Sequence, residues 1–216
     1  MPISLMMGVL RWRSLTETIK FMYLYGASGH AKVIIDIIRS MNLPIDGIFD
    51  DNDAVKILCG IEVNHKWSGQ SPVIISIGNN RIRKFIAERL DCEFDKAIHL
   101  SSVISPSVYV GEGTAVMAGA IINADAKIGN HCIINTGASI DHECVIDDFA
   151  HVSPHATLCG NVSVGEGSWV GAGATVLPEI KIGKWCVIGA GSVVIKDVPD
   201  NTVVAGVPAK VIKINS

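Results

Sequence analysis

The stretch SIDHECVIDDFAHVSPHATLCG, from Ser139 to Gly160, carries His142, His151 and His155, three of the seven histidines in the chain. Imidazole takes up and releases a proton near neutral pH. Three of them this close could ligate zinc, transfer a proton, or trim the outside of a repeat, and Asp141 and Glu143 flank the first. A second group lies nearer the start. Gly26 and Gly29, in YLYGASGH, follow an apolar run and open a helical pattern, which sets backbone N–H groups and a helix N-terminus against phosphate. The third glycine and the G-x-G core of a dinucleotide fingerprint are missing, so NAD is not expected. Asp50 and Asp51, about 20 residues on, are spaced to accept hydrogen bonds from a ribose or base. A nucleotide without nicotinamide fits these groups.

Two kinds of element must position these residues. Up to residue 97 strand and helix patterns alternate. FMYLY is strand-like, and HAKVIIDIIRSM places Val33, Ile34, Ile37, Ile38 and Met41 at helical spacing. IDGIFDD and PVIISIG read as strands, and NNRIRKFIAERL as an amphipathic helix. This order predicts an α/β unit, a parallel sheet with ligands at the carboxyl ends of its strands. From Ile104 the period becomes six, and every sixth residue to Val194 is Ile, Val or Leu. A fixed short period means a solenoid. Four residues after most of these aliphatics stands a small one, among them Ala120, Cys132, Cys144 and Cys186, so large and small plugs alternate in a narrow interior. Gly111, Gly129, Gly165, Gly171, Gly183 and Gly189 directly follow an aliphatic and are expected to let the chain bend. His142 is third in the hexad that begins at Ile140. Ile140 and Cys144 take the interior, so His142 points outward.

The remaining composition narrows the class. In 216 residues the formal charge is −3 with no basic run, which leaves nothing to attract nucleic acid or an anionic membrane surface. No stretch approaches the roughly 20 apolar residues of a membrane helix. The six cysteines show no C-x-x-C spacing, and reduced thiols in the cytoplasm are expected. Residues 1–20 read as an extension before the first strand, 21–97 as a Rossmann-like nucleotide-binding unit, 98–200 as the solenoid and 201–216 as its cap.

The hexads and the closing AGVPAKVIK resemble the hexapeptide-repeat acyltransferases. YLYGASGHAK, FDD, SIGNNRIRK, AIHLSSVISPS and DHECVIDDFAHVS, in this order, resemble the sugar acetyltransferases of sialic acid and diamino-sugar biosynthesis, closest to the UDP-4-amino-sugar N-acetyltransferases. The resemblance implies a left-handed parallel β-helix with three hexads per coil. It also implies a homotrimer whose interfacial sites bind acetyl-CoA along the groove between prisms. The implied substrate is a UDP-amino sugar feeding surface glycan synthesis. On the family pattern Ser28, Gly29 and His30 form the phosphate loop, Asp50 and Asp51 hold uridine, and Gly78, Asn79 and Arg81 complete the pocket. His142 is the implied general base, with Glu143 accepting its other N–H and Asp141 as rival. His151, Ala172 and Ala190 contact acetyl-CoA.

A coil of 18 residues places Gly160 directly above His142, one strand spacing of about 4.8 Å away, where its bare N–H is a candidate oxyanion donor. His151, half a coil on, should lie on the order of 15 Å from His142 within one chain, so the two would share a site only between protomers. His131 and His155 are expected to be solvent-exposed repeat positions, and His65 and His99 have no constellation of chemical groups around them. No metal is expected. The rival readings are a sialic-acid O-acetyltransferase and a γ-carbonic-anhydrase-like zinc enzyme using His142, His151 and His155. A non-catalytic nucleotide-sugar scaffold would leave the outward His-Glu pair idle.

Overall fold

The computed structural model describes residues 21–214. The extension expected over residues 1–20 lies outside them.

The chain opens with β1 (Met22–Tyr25), α1 (Gly29–Ser40), β2 (Ile45–Phe49), β3 (Ile57–Leu58), β4 (Ile61–Asn64), β5 (Val73–Ile75) and α2 (Asn80–Arg89). The sheet order is β3-β4-β2-β1-β5, with β4, β2, β1 and β5 parallel. Strand order reverses between β1 and β5, and in such sheets the crevice at that reversal receives ligands. The loops after β1, β2 and β5 meet there, tied by Gly26 N–H to Phe49 O (2.7 Å) and Ser76 N–H to Tyr25 O (2.8 Å). Helix α1 buries Ala31, Ile34, Ile35, Ile37 and Ile38, while Val33 faces outward at 38% exposure. The buried face of α2 is Arg83 and Ile86, with Ile82 and Phe85 exposed. An arginine holds a place that helical spacing reserves for an apolar side chain.

From Ala97–Ile98 onward the chain is a left-handed parallel solenoid of two-residue strands. As far as Val193–Val194 the strands pair 18 residues apart: Ser139 and Ile140 pair with Thr157 and Leu158, and His151 and Val152 with Trp169 and Val170. The walls are sheets of eight, six and five strands, the largest closed by an antiparallel hairpin of Thr202–Gly206 and Ala209–Ile214. The six-residue aliphatics and the small residues between them fill the interior, where Ile140, Cys144, Leu158 and Ala156 are all 0% exposed. Two polar plugs are satisfied within the stack: Ser168 Oγ donates to Gly183 O (2.6 Å) and accepts from Cys186 N–H (2.8 Å), and Thr114 repeats this with Gly129 O and Cys132 N–H.

The bend differs from the expectation. It falls three residues after each aliphatic from Val110 to Ile188, where φ is positive whether the residue is Gly137, Glu143 or His155. The glycines directly after the aliphatics serve close stacking instead: a Cβ on Gly111 would lie 2.5 Å from the backbone of Gly129.

Candidate active site

At the corner after Ser139–Ile140 the His142 side chain is 57% exposed, and its Nδ1–H donates to Glu143 Oε2 at 3.0 Å. Adjacent residues on a straight strand point to opposite sides. Here Glu143 has φ +59°, and that left-handed turn swings its carboxylate back alongside the ring. Asp141 instead caps the corner, accepting from His142 N–H (2.8 Å) and Asn123 Nδ2 (3.0 Å), which holds its carboxyl below the usual range. With Nδ1 donating to a carboxylate, the lone pair of neutral His142 is on Nε2. That atom lies over Gly160, where an added Cβ would stand 2.7 Å from Nε2 and 2.6 Å from Cε1. The N–H groups on either side of Gly160 are committed, Cys159 to Val176 O and Asn161 to His142 O. Backbone space beside a lone pair suits a reacting carbonyl.

The front residues converge at the sheet's carboxyl ends. Ser28 caps α1 without using its side chain, and Ser28 and Gly29 are exposed, so the helix start is open. Asp50 closes the crevice floor, accepting from Ala27 N–H (2.6 Å) and Asn52 N–H (2.8 Å). Asp51 accepts from Tyr25 Oη (2.5 Å) and pairs with Arg89 (3.0 Å); the Tyr25 bond, chiefly, holds its carboxyl below the ordinary value. His30 lies beneath Gly78; its Nε2 is buried without a partner, and burial, aided by Arg83, lowers its pKa to about 4. Asn79 caps α2 through Ile82 N–H (3.1 Å).

A cavity of about 500 Å³ separates the start of α2 from the solenoid wall. Gly78, Asn79 and Arg81 line one side and His151, Trp169 and Trp185 the other. Arg81 stacks 4.5 Å over Trp185, and His151 stacks parallel to Trp169. Asn135 Oδ1 accepts from Thr136 N–H (2.8 Å), which turns Nδ2 toward His151 Nε2 (3.0 Å) and leaves the ring proton on Nδ1. Burial, with Arg83 and His30, lowers the His151 pKa to about 3. His151 thus faces Gly78, Asn79 and Arg81 of its own chain across the cavity. Ala172 and Ala190 are exposed at stacked corners, joined by Gly191 N–H to Ala172 O (2.8 Å). The strand that leads into the His142 corner and the strand that carries His151 belong to different sheets of the solenoid.

One further expectation is corrected. His131 is 7% exposed, not a solvent-facing repeat position: its ring is stacked on Phe149 and edged by Phe94, because the α/β region covers that wall. Burial lowers its pKa to about 4. His65 Nδ1 meets Asp50 O (3.0 Å) and His99 Nδ1 meets Ser101 Oγ (2.8 Å), ordinary hydrogen bonds with no cluster of chemical groups around them among the described residues. His155 is exposed as expected. Sequence reasoning missed Arg83 and Trp185; the trace available was a basic residue on the inner spacing of α2. Among the described residues no three His, Cys, Asp or Glu side chains are arranged to hold a metal ion, and no helix is long and apolar enough to cross a membrane.

Residues 22–90 match the PglD N-terminal domain, and residues 161–196 match the bacterial transferase hexapeptide (six repeats). A perosamine N-acetyltransferase from Caulobacter crescentus, solved in complex with CoA and GDP-perosamine, is 39% identical with a TM-score of 0.86 over 91% of this chain and 98% of that one. The acetyltransferase domain of PglB from Neisseria gonorrhoeae, in complex with acetyl coenzyme A, is 34% identical with a TM-score of 0.83 over 88% and 98%. The UDP-N-acetylbacillosamine N-acetyltransferase of Bacillus subtilis is 42% identical over 117 residues, 46% of this chain and 52% of that protein. The chain thus spans about half the length of that curated relative. Matched in its front region, in its repeats, and along nearly all of a 39% identical structure, the chain belongs to the hexapeptide-repeat, left-handed β-helix sugar acetyltransferases.

Proposed function

We propose that this chain is an acetyl-CoA-dependent N-acetyltransferase acting on the amino group of a nucleotide-linked amino sugar. In the finer reading the acceptor is the 4-amino group of a UDP-linked amino-dideoxy sugar used in surface glycan synthesis. The observation that carries the proposal is the corner at His142: one ring nitrogen tied to Glu143, the other presented over the bare backbone of Gly160. The amine nitrogen attacks the thioester carbonyl carbon, and His142 Nε2 takes the proton that the new C–N bond makes acidic. The oxygen of the tetrahedral intermediate gathers negative charge beside Gly160 N–H. Collapse breaks the C–S bond, and the departing thiolate recovers the proton. Attack is direct, since Cys144 is sealed in the interior and donates to Cys159 O (3.2 Å). Ser28, Gly29, His30, Asp50, Asp51, Gly78, Asn79 and Arg81 hold the nucleotide and start the sugar toward the cavity. His151, Ala172 and Ala190 of one protomer meet acetyl-CoA at the His142 of its neighbour in a homotrimer.

The base of the nucleotide has two candidates. The Bacillus relative is named for a UDP-sugar and the Caulobacter relative was solved with a GDP-sugar. Incubating the protein with acetyl-CoA and a panel of UDP- and GDP-linked amino sugars, with sialic acid as the hydroxyl acceptor, and following free thiol release tests the reading. Release with an amino-sugar nucleotide that disappears in His142→Ala is expected. Release with sialic acid alone, or equal rates in the variant, would overturn it.

A further inference from the structure

Arg83 projects from α2 into the seam against the solenoid and is 1% exposed. All five of its N–H groups are used. Nε donates to His131 O (2.8 Å), Nη1 to Ile77 O (3.0 Å) and Gly78 O (3.2 Å), and Nη2 to Asn80 Oδ1 (2.9 Å) and Phe149 O (2.9 Å). Every acceptor is neutral, and among the described residues no carboxylate lies within ion-pair distance of the guanidinium. A charge removed from water is ordinarily offset by an opposite charge beside it. Burial draws the Arg83 pKa down only to about 10, so the group is a cation at neutral pH. Its hydrogen bonds are complete while its charge is unbalanced, and Gly78 and Asn80, two of its acceptors, line the cavity. The reach of that charge is visible in the surroundings: it helps to depress the pKa of His30, His131 and His151.

We propose that Arg83 is a fixed internal countercharge for the diphosphate of the nucleotide sugar, favouring an anion in the cavity through its field and without touching it. The inference rests on the functional reading above, in which a nucleotide sugar enters this cavity. Contact is ruled out by the hydrogen-bond count, since a guanidinium with five N–H groups already bonded has none for a phosphate oxygen. The same saturation makes the charge rigid. A lysine on the surface loses most of its pull to solvent and salt, whereas a buried cation acts through a poorly screening medium. Arg83 is therefore a positioning residue whose effect scales with ligand charge.

Calorimetric titration of the full-length protein with uridine, UMP and UDP, and with the guanosine series, tests this. In Arg83→Gln, UDP or GDP should weaken at least tenfold more than the parent nucleoside, with the monophosphate between. Arg83→Lys, which keeps the charge and loses bonds, should recover the diphosphate to within about threefold of wild type. A purely structural role predicts equal losses along each series and no rescue by lysine, and that result overturns the proposal. If thermal melts show Arg83→Gln unfolded, Asn80→Asp serves instead: it sets a carboxylate on the guanidinium and should weaken diphosphate selectively, and an equal effect on nucleoside overturns the proposal. Failure of the wild type to bind any uridine or guanosine nucleotide would instead overturn the functional reading beneath it.

Discussion

Glu143 reaches the ring of the residue before it through a left-handed bend, so its role can be separated from the fold. Glu143→Gln keeps the bend and weakens the acceptor for Nδ1–H. Turnover should fall while the KM for acetyl-CoA holds, measured by thiol release. Removing the proposed base should cost more: His142→Ala is expected to lower kcat by roughly 10²- to 10⁴-fold, the usual share of general-base catalysis. Gly160→Ala sets a methyl 2.7 Å from Nε2. It should lower kcat at least tenfold with an unchanged melting profile, and normal turnover would remove Gly160 from the site. The stacking of Gly160 on His142 was legible in the sequence because it is arithmetic on a period of 18. The Glu143 contact came from the family resemblance instead, because strand alternation alone argues against it and the positive φ at the corner is what permits it. His131 misled for a related reason: hexad phase tells which residues leave the interior, and says nothing about what packs against the outside.

The solenoid hexads were readable because each strand sees the same interior, so one rule of residue size repeats along the chain. Leu158→Ala should destabilise the protein by about 2 to 5 kcal/mol through the cavity it leaves, read from denaturant unfolding, with little change in KM if enough folded protein remains. Helix α2 was only half readable. Its limits and its cap at Asn79 follow from residue type, yet its inner face carries Arg83, and an amphipathic pattern cannot announce that an arginine will be buried by backbone carbonyls from two walls. The loops after β1, β2 and β5 were legible as a set because parallel strands all deliver their carboxyl ends to one edge.

Across the whole molecule, acid should loosen the seam where the α/β region meets the solenoid. His30, His131 and His151 ionise in the folded protein only at about 4, 4 and 3, against about 6.5 in an unfolded chain. The unfolded state therefore binds more protons below pH 6.5. The contribution of these neutral rings is complete above that pH and is lost as pH falls toward 4, at roughly 1.4 kcal/mol per pH unit for each ring. Unfolding midpoints at pH 7, 5.5 and 4.5 should fall in that order, and a flat profile would contradict the burial of these rings. The proposed sharing of a site between protomers predicts complementation. His142→Ala and His151→Ala, each inactive alone, should regain about a quarter of wild-type activity when unfolded and refolded together, because random pairing rebuilds some intact interfaces. No recovery would confine the chemistry to one chain.

The terminal hairpin has a further consequence. Every earlier rung of the solenoid runs parallel to the one before it, and a stack of that kind offers its last rung as a template for more chain. The return strand Ala209–Ile214 reverses direction and covers the end of the eight-stranded wall, so it acts as a stopper on growth along that wall. Trimming it should convert a discrete particle into one that adds copies end to end, seen as concentration-dependent light scattering from an enzyme whose His142 corners are intact.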